Sequence, residues 1–105
     1  MECEPMKTHP LKLVTIIGEA VLADRLLREI RKLGAKGHTL TTVEGQGSRG
    51  VRASEWEGKN VKIETLVSEE VADAILHVLS EHYFANFAVV AYVHDVGVVR
   101  GEKYV

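Results

Sequence analysis

Two stretches of helical apolar spacing, each set between runs of β-branched alternation, constrain this 105-residue chain more than any other feature. In residues 19–33 the apolar positions Leu22, Leu26, Ile30 and Leu33 recur every three or four residues, supported by Ala23 and Leu27. Asp24, Arg25, Arg28, Glu29, Arg31 and Lys32 fall on the opposite side, so the segment is predicted to be an amphipathic helix stopped by Gly34. In the second stretch Ser68 is placed to cap the helix, and Glu69 and Glu70 complement the dipole in its first turn. Val71, Ala72, Ile75, Val78 and Leu79 form the apolar face, which runs to about His82.

The segments around these helices read as strands. Residues 1–10 hold both prolines and no periodicity, so they are predicted to be a flexible lead-in to a domain over 11–105. Residues 11–17 alternate Leu11, Leu13, Thr15 and Ile17 against Lys12, Val14 and Ile16, and Gly18 closes the run. After a turn at residues 34–37, the threonine-rich run 38–43 has strand character. Residues 61–67 set Val61, Ile63, Thr65 and Val67 against Lys62, Glu64 and Leu66. Residues 87–94 are apolar on both faces, with Phe87, Val89, Ala91 and Val93 against Ala88, Val90 and Tyr92, and a short edge strand is expected in residues 96–105.

This order predicts an α+β, ferredoxin-like βαββαβ fold: a four-stranded antiparallel sheet with two helices on one face, because right-handed crossovers place both helices on the same side. The other face is then uncovered. Val14, Ile16, Ala88, Val90 and Tyr92 are assigned to it, and so large an apolar patch calls for self-association.

An apolar share of 46% with 27% charged residues supports a packed core rather than disorder. With 13 Lys and Arg against 15 Asp and Glu, the formal charge of -2 offers no general attraction to nucleic acid or an anionic membrane. The apolar runs fall short of the roughly 20 residues of a membrane span, no signal-peptide pattern opens the chain, and the single cysteine, Cys3, fits a reducing compartment. A cytoplasmic location is expected, without membrane integration.

The chemistry concentrates in residues 44–60, a connection far longer than an ordinary hairpin loop. Gly45, Gly47 and Gly50 let the backbone approach a ligand closely, and Ser48, Arg49 and Arg52 supply donors suited to phosphate or carboxylate. Neither a Walker loop nor a dinucleotide fingerprint is present. Trp56, between Glu55 and Glu57, reads as an anchor for a partner protein, a lid over a flat ligand or local packing on the hairpin, and Glu55, Trp56 and Glu57 are taken as the candidate partner-binding part of the loop. His9, His38, His77, His82 and His94 lack metal-site spacing, and no nucleophile stands beside a base, so no metal and no catalytic residue is predicted.

Residues 11–94 resemble the PII-like signal transducers, and among them the branch associated with carboxysomes and bicarbonate transport. The resemblance rests on Lys12-Leu13-Val14-Thr15-Ile16-Ile17, on Gly34-Ala35-Lys36-Gly37-His38-Thr39, on Gly45-Gln46-Gly47-Ser48-Arg49 with Arg52, and on Asn60-Val61-Lys62-Ile63-Glu64. It implies a homotrimer with adenine nucleotides in the clefts between subunits, and a T-loop, here residues 44–60, that rearranges with ligand and engages a target such as a transporter or carbon-fixation component. By the same resemblance Gly37, Thr39 and Thr41 border the base, and Gly45, Gly47, Ser48, Arg49 and Arg52 approach the phosphates. Phe87, Ala88 and Val89 offer backbone from the other wall.

The chain departs from the nitrogen-sensing members. Tyr83-Phe84-Ala85-Asn86 replaces their glycine- and lysine-rich phosphate loop, which favours ADP or AMP over a triphosphate with magnesium. No tyrosine lies in the T-loop for uridylylation, and the paired cysteines of some bicarbonate-transporter relatives are absent. The resulting expectation is a non-catalytic regulator responding to ADP or AMP, with bicarbonate as a further effector. A slow nucleotide hydrolase and a CutA-like divalent-cation-binding trimer are the alternatives.

Overall fold

The computed structural model describes residues 3–45 and 59–105. Strand β1 spans His9–Glu19 and is followed by a single 3-10 turn, Ala20–Leu22, and helix α1, Ala23–Lys32. Strand β2 is Thr39–Glu44, β3 is Lys59–Val67, helix α2 is Glu69–His82, and β4 is Val90–Val98. Among the described residues the strands form one sheet in the order β2-β3-β1-β4, with every neighbouring pair antiparallel. The two crossovers place both helices over one face, as the periodicities predict.

Local chemistry sets the ends of the helices. Gly34 ends α1 at φ 121°, in a region where a side chain would be strained. The Ser68 hydroxyl accepts a 3.3 Å hydrogen bond from the Val71 amide, which caps α2 as expected. Leu22, Leu26 and Ile30 of the first helical segment and Ala72, Ile75 and Leu79 of α2 are buried against the sheet.

The sheet contributes Val14 and Ile16 from β1 and Val61, Ile63 and Val67 from β3 to that core, with Ala91 and Val93 of β4 packed beside them. This corrects one expectation. Val14 and Ile16 lie under the helices, and Leu13, Thr15 and Ile17 take the open face, opposite His94, Tyr92 and Val90 of β4. Both faces of β1 are apolar, so alternation separates its residues into two sets without showing which set meets the helices. Val90 and Tyr92 do face away from the helices, and at 53% and 41% exposure they leave an uncovered apolar surface. Ala88 precedes β4 and is not one of its residues.

β1 begins two residues ahead of the expected start and runs through Gly18. Pro10 is tolerated because β1 has only β4 as its partner there; pairing with β3 starts at Lys12. At Gly18 a Cβ would lie 3.2 Å from Val89 Cγ2, so the glycine lets the segment before β4 close on the sheet. β4 begins at Val90, three residues later than expected, since residues 83–87 are taken up by a turn in which Asn86 and Phe87 donate to the Tyr83 carbonyl.

The anticipated extra edge strand is the continuation of β4 itself, with Val96 opposite Leu11 and Val98 opposite His9. Arg100 then takes the left-handed conformation at φ 65°, and Gly101–Tyr104 form a 3-10 helix instead of a strand.

Candidate functional site

Extended geometry on β2 separates the predicted ligand residues along the strand. Thr39 and Thr41 are exposed and share the open face of the sheet with their partners Glu64 and Lys62. Gly37 lies just ahead of them, and its carbonyl accepts a 2.6 Å hydrogen bond from Thr65 Oγ1. Thr65 is a lone polar residue at a buried position of β3. A hydroxyl in an apolar row requires a partner, and the Gly37 carbonyl supplies it.

Gly45 follows β2 at the far end of the strand, beside Asn60 at the start of β3. Six residues of strand, about 20 Å at ~3.4 Å per residue, separate it from Thr39. The predicted anion-binding residues Gly47, Ser48, Arg49 and Arg52 and the partner-facing Glu55, Trp56 and Glu57 lie outside the described residues.

Phe87, Ala88 and Val89 lead into β4 at the opposite edge of the sheet. Val89 and the Ala88 carbonyl approach Gly18, while the Phe87 ring packs against buried Tyr83 with centroids 5.9 Å apart. The Arg25 guanidinium of α1 lies 5.0 Å from the Tyr83 centroid and 5.5 Å from that of Phe87. A cation over two aromatic rings braces the turn at residues 83–87.

Within one chain, therefore, Gly37, Thr39 and Thr41 are not brought together with Phe87, Ala88 and Val89. They occupy opposite edges of the sheet, three strand spacings or about 14 Å apart, and Gly37 and Val89 also lie at opposite ends of the strands. Gly45 and Val89 do share an end of the sheet, with Glu19 and Asn60 between them.

Lys12 and His77 have structural partners. Lys12 donates to Asp95 and lies 3.9 Å from Glu69; the Asp95 hydrogen bond, with the charges of Asp95, Glu69 and Asp73, raises its pKa above the ordinary 10.5 against the opposing effect of desolvation. His77 pairs with Glu81 one turn along α2 at 2.7 Å. Among the described residues no three His, Cys, Asp or Glu side chains converge as a metal site would require, and no helix is long and apolar enough to cross a membrane.

Comparison with known proteins identifies the family of the fold. Residues 11–103 match the model of the nitrogen regulatory protein P-II family. The chain belongs to the P-II family. A PII-like signaling protein from Thermus thermophilus superposes on it with a TM-score of 0.83 at 58% identity, over 95% of this chain and 100% of that one. CPII from Thiomonas intermedia, in a structure with ADP and bicarbonate, gives a TM-score of 0.83 at 27% identity over 96% of this chain and 100% of the other. The same CPII with ADP, AMP and acetate gives 0.82 at 27% identity over 94% and 98%. This P-II chain is thus a PII-like regulatory protein with the family's antiparallel sheet and paired helices.

Two contacts at residues 36 and 37 that sequence reasoning missed come from the C-terminal segment. A Cβ on Gly37 would sit 3.9 Å from Tyr104 Cε1, and Lys36 Nζ donates to the Val105 carbonyl. A separation of 69 residues between Lys36 and Val105 hides these contacts from any local pattern.

Proposed function

We propose that this P-II protein is a non-catalytic sensor of adenine nucleotides, ADP or AMP in preference to ATP, acting in the regulation of inorganic-carbon metabolism. The nucleotide lies in clefts between the subunits of a homotrimer. Gly37, Thr39 and Thr41 of one subunit border the base. Gly45, Gly47, Ser48, Arg49 and Arg52 bind the phosphates, and Phe87, Ala88 and Val89 close the other wall. Binding changes the conformation of the T-loop, residues 44–60, and Glu55, Trp56 and Glu57 present that change to a target protein such as a transporter or a carbon-fixation component. Bicarbonate is a further effector at the phosphate side.

The observation that carries this reading is the placement of the two sets of wall residues on opposite edges of one sheet. A ligand touching both sets has to lie between two copies of the chain. Exposed Val90 and Tyr92 supply apolar surface for such an assembly. The ADP, AMP and bicarbonate complexes of CPII support the choice of ligands. The turn at residues 83–87, without a glycine- and lysine-rich loop, favours a nucleotide with fewer phosphates. Coupling then follows from population shift, because a ligand that binds one loop conformation better must change the affinity for any partner that distinguishes the two.

Isothermal calorimetry with AMP, ADP, ATP and cyclic AMP tests the proposal. Micromolar binding of ADP or AMP, lost in Arg49→Ala, is expected. Absence of heat with all four nucleotides would overturn it.

A further inference from the structure

We infer that Arg25 of α1 is a phosphate-binding residue of the nucleotide site, its guanidinium anchored over the Tyr83 and Phe87 rings with N–H donors left for the anion. The inference rests on the proposed placing of the phosphates beside Gly45 and adds to it a cation from outside the T-loop.

The end of β1 brings α1 to that side of the sheet. Glu19, the last residue of β1, lies opposite Asn60, and a Cβ on Gly45 would stand 3.7 Å from Asn60 Nδ2. One residue earlier, a Cβ on Gly18 would meet Val89 Cγ2 at 3.2 Å, the Ala88 carbonyl at 3.8 Å and Leu26 Cδ1 at 3.9 Å. Leu26 is the neighbour of Arg25 in α1. The first turn of the helix, the proposed wall at residues 87–89 and Gly45 therefore belong to one end of the sheet.

The guanidinium is held there by rings rather than by a carboxylate. Its Cζ lies 5.0 Å from the Tyr83 centroid and 5.5 Å from that of Phe87, and Tyr83 is buried, so the anchor is part of the core. Among the described residues no ion pair includes Arg25, although Asp24 is next to it and Glu29 stands one turn along α1. Aromatic rings attract the charge without neutralising it, and two rings cannot use up five N–H donors. Arg25 is exposed, so those donors remain within reach of a ligand. Arg28, Arg31 and Lys32 of the same helix lack such an anchor among the aromatic contacts of the described residues. An arginine already ordered by stacking gives up less freedom on binding, and its planar fork matches the oxygens of a phosphate.

The test is ADP binding to the full chain and to Arg25→Gln and Arg25→Lys, with phosphorus NMR following the ionisation of the bound terminal phosphate. Arg25→Gln is expected to weaken ADP about ten- to a hundredfold, the range for losing a hydrogen bond to a charged group, and Arg25→Lys to recover part of the loss. At saturation, Arg25→Gln is also expected to raise the pH at which the bound phosphate takes up its proton, because a nearby cation favours the ionised form. A guanidinium that only braces the turn would leave that pH unchanged, and this result overturns the inference even where affinity falls. Unchanged ADP affinity in Arg25→Gln overturns it as well. Should Arg25→Gln fail to fold, the wild-type Arg25 Nε–H resonance decides, identified by its absence from the Arg25→Lys spectrum: a shift on saturation with ADP supports the contact, and a fixed resonance overturns it. If wild type itself binds no ADP, the proposed function falls first.

Discussion

Thr65 Oγ1 donates to the Gly37 carbonyl across 2.6 Å, so the backbone at the start of the β2 edge is tied to the buried face of β3. Thr65→Val keeps the shape and removes the donor, leaving a partly buried carbonyl unpaired. A loss of about 1–3 kcal/mol is expected. Urea denaturation should show a lower midpoint at an unchanged slope, and an unaltered midpoint would show that the bond holds nothing in place.

Val90 and Tyr92 leave apolar surface on the face away from the helices. If that face is covered by other copies, Val90→Asp or Tyr92→Asp places a carboxylate in a desolvated contact. Sedimentation equilibrium is expected to give a trimer for wild type and a smaller species for either variant. A monomeric wild type would contradict the assembly.

Trp56 is the only tryptophan of the chain, so its emission reports on the T-loop alone. Titration with ADP is expected to change the fluorescence along a curve with the calorimetric Kd, and the change should disappear in Arg49→Ala. Constant emission up to saturation would separate nucleotide binding from the loop.

Lys12 has its pKa raised above 10.5, chiefly by the hydrogen bond to Asp95. A lysine whose folded-state pKa exceeds its unfolded value stabilises fully below 10.5 and loses that contribution as pH rises through the folded value. Thermal melting of Lys12→Met should therefore fall below wild type at neutral pH and converge with it in strong alkali. Added salt should narrow the neutral-pH gap, since the pair is solvent-accessible. A gap that persists above the folded pKa would assign the effect to packing of the lysine stem.

Much of this architecture was readable from periodicity. The alternation of Val61, Ile63, Thr65 and Val67 against Lys62, Glu64 and Leu66 identifies the buried face of β3 because one set is apolar and the other largely polar. β1 carries apolar residues on both faces, and there the same rule misplaces Val14 and Ile16. Of the proposed site residues, Gly37, Thr39 and Thr41 are grouped by the family resemblance, whereas their separation from Phe87, Ala88 and Val89 depends on strand order.

What the amino-acid sequence by itself determined are the elements whose signals are local: two amphipathic helices, the Ser68 cap, the Gly34 stop and the succession of strands and helices that makes this a PII-type sheet. Only the tertiary structure decided which face of β1 meets the helices, how far β4 runs, and that the tail crosses to Gly37. Those outcomes depend on contacts between residues far apart in the chain. Val98 extends β4 because His9 lies opposite it, Gly101 turns inward because His9 leaves no room for a side chain, and Tyr104 reaches Gly37 only once both have done so.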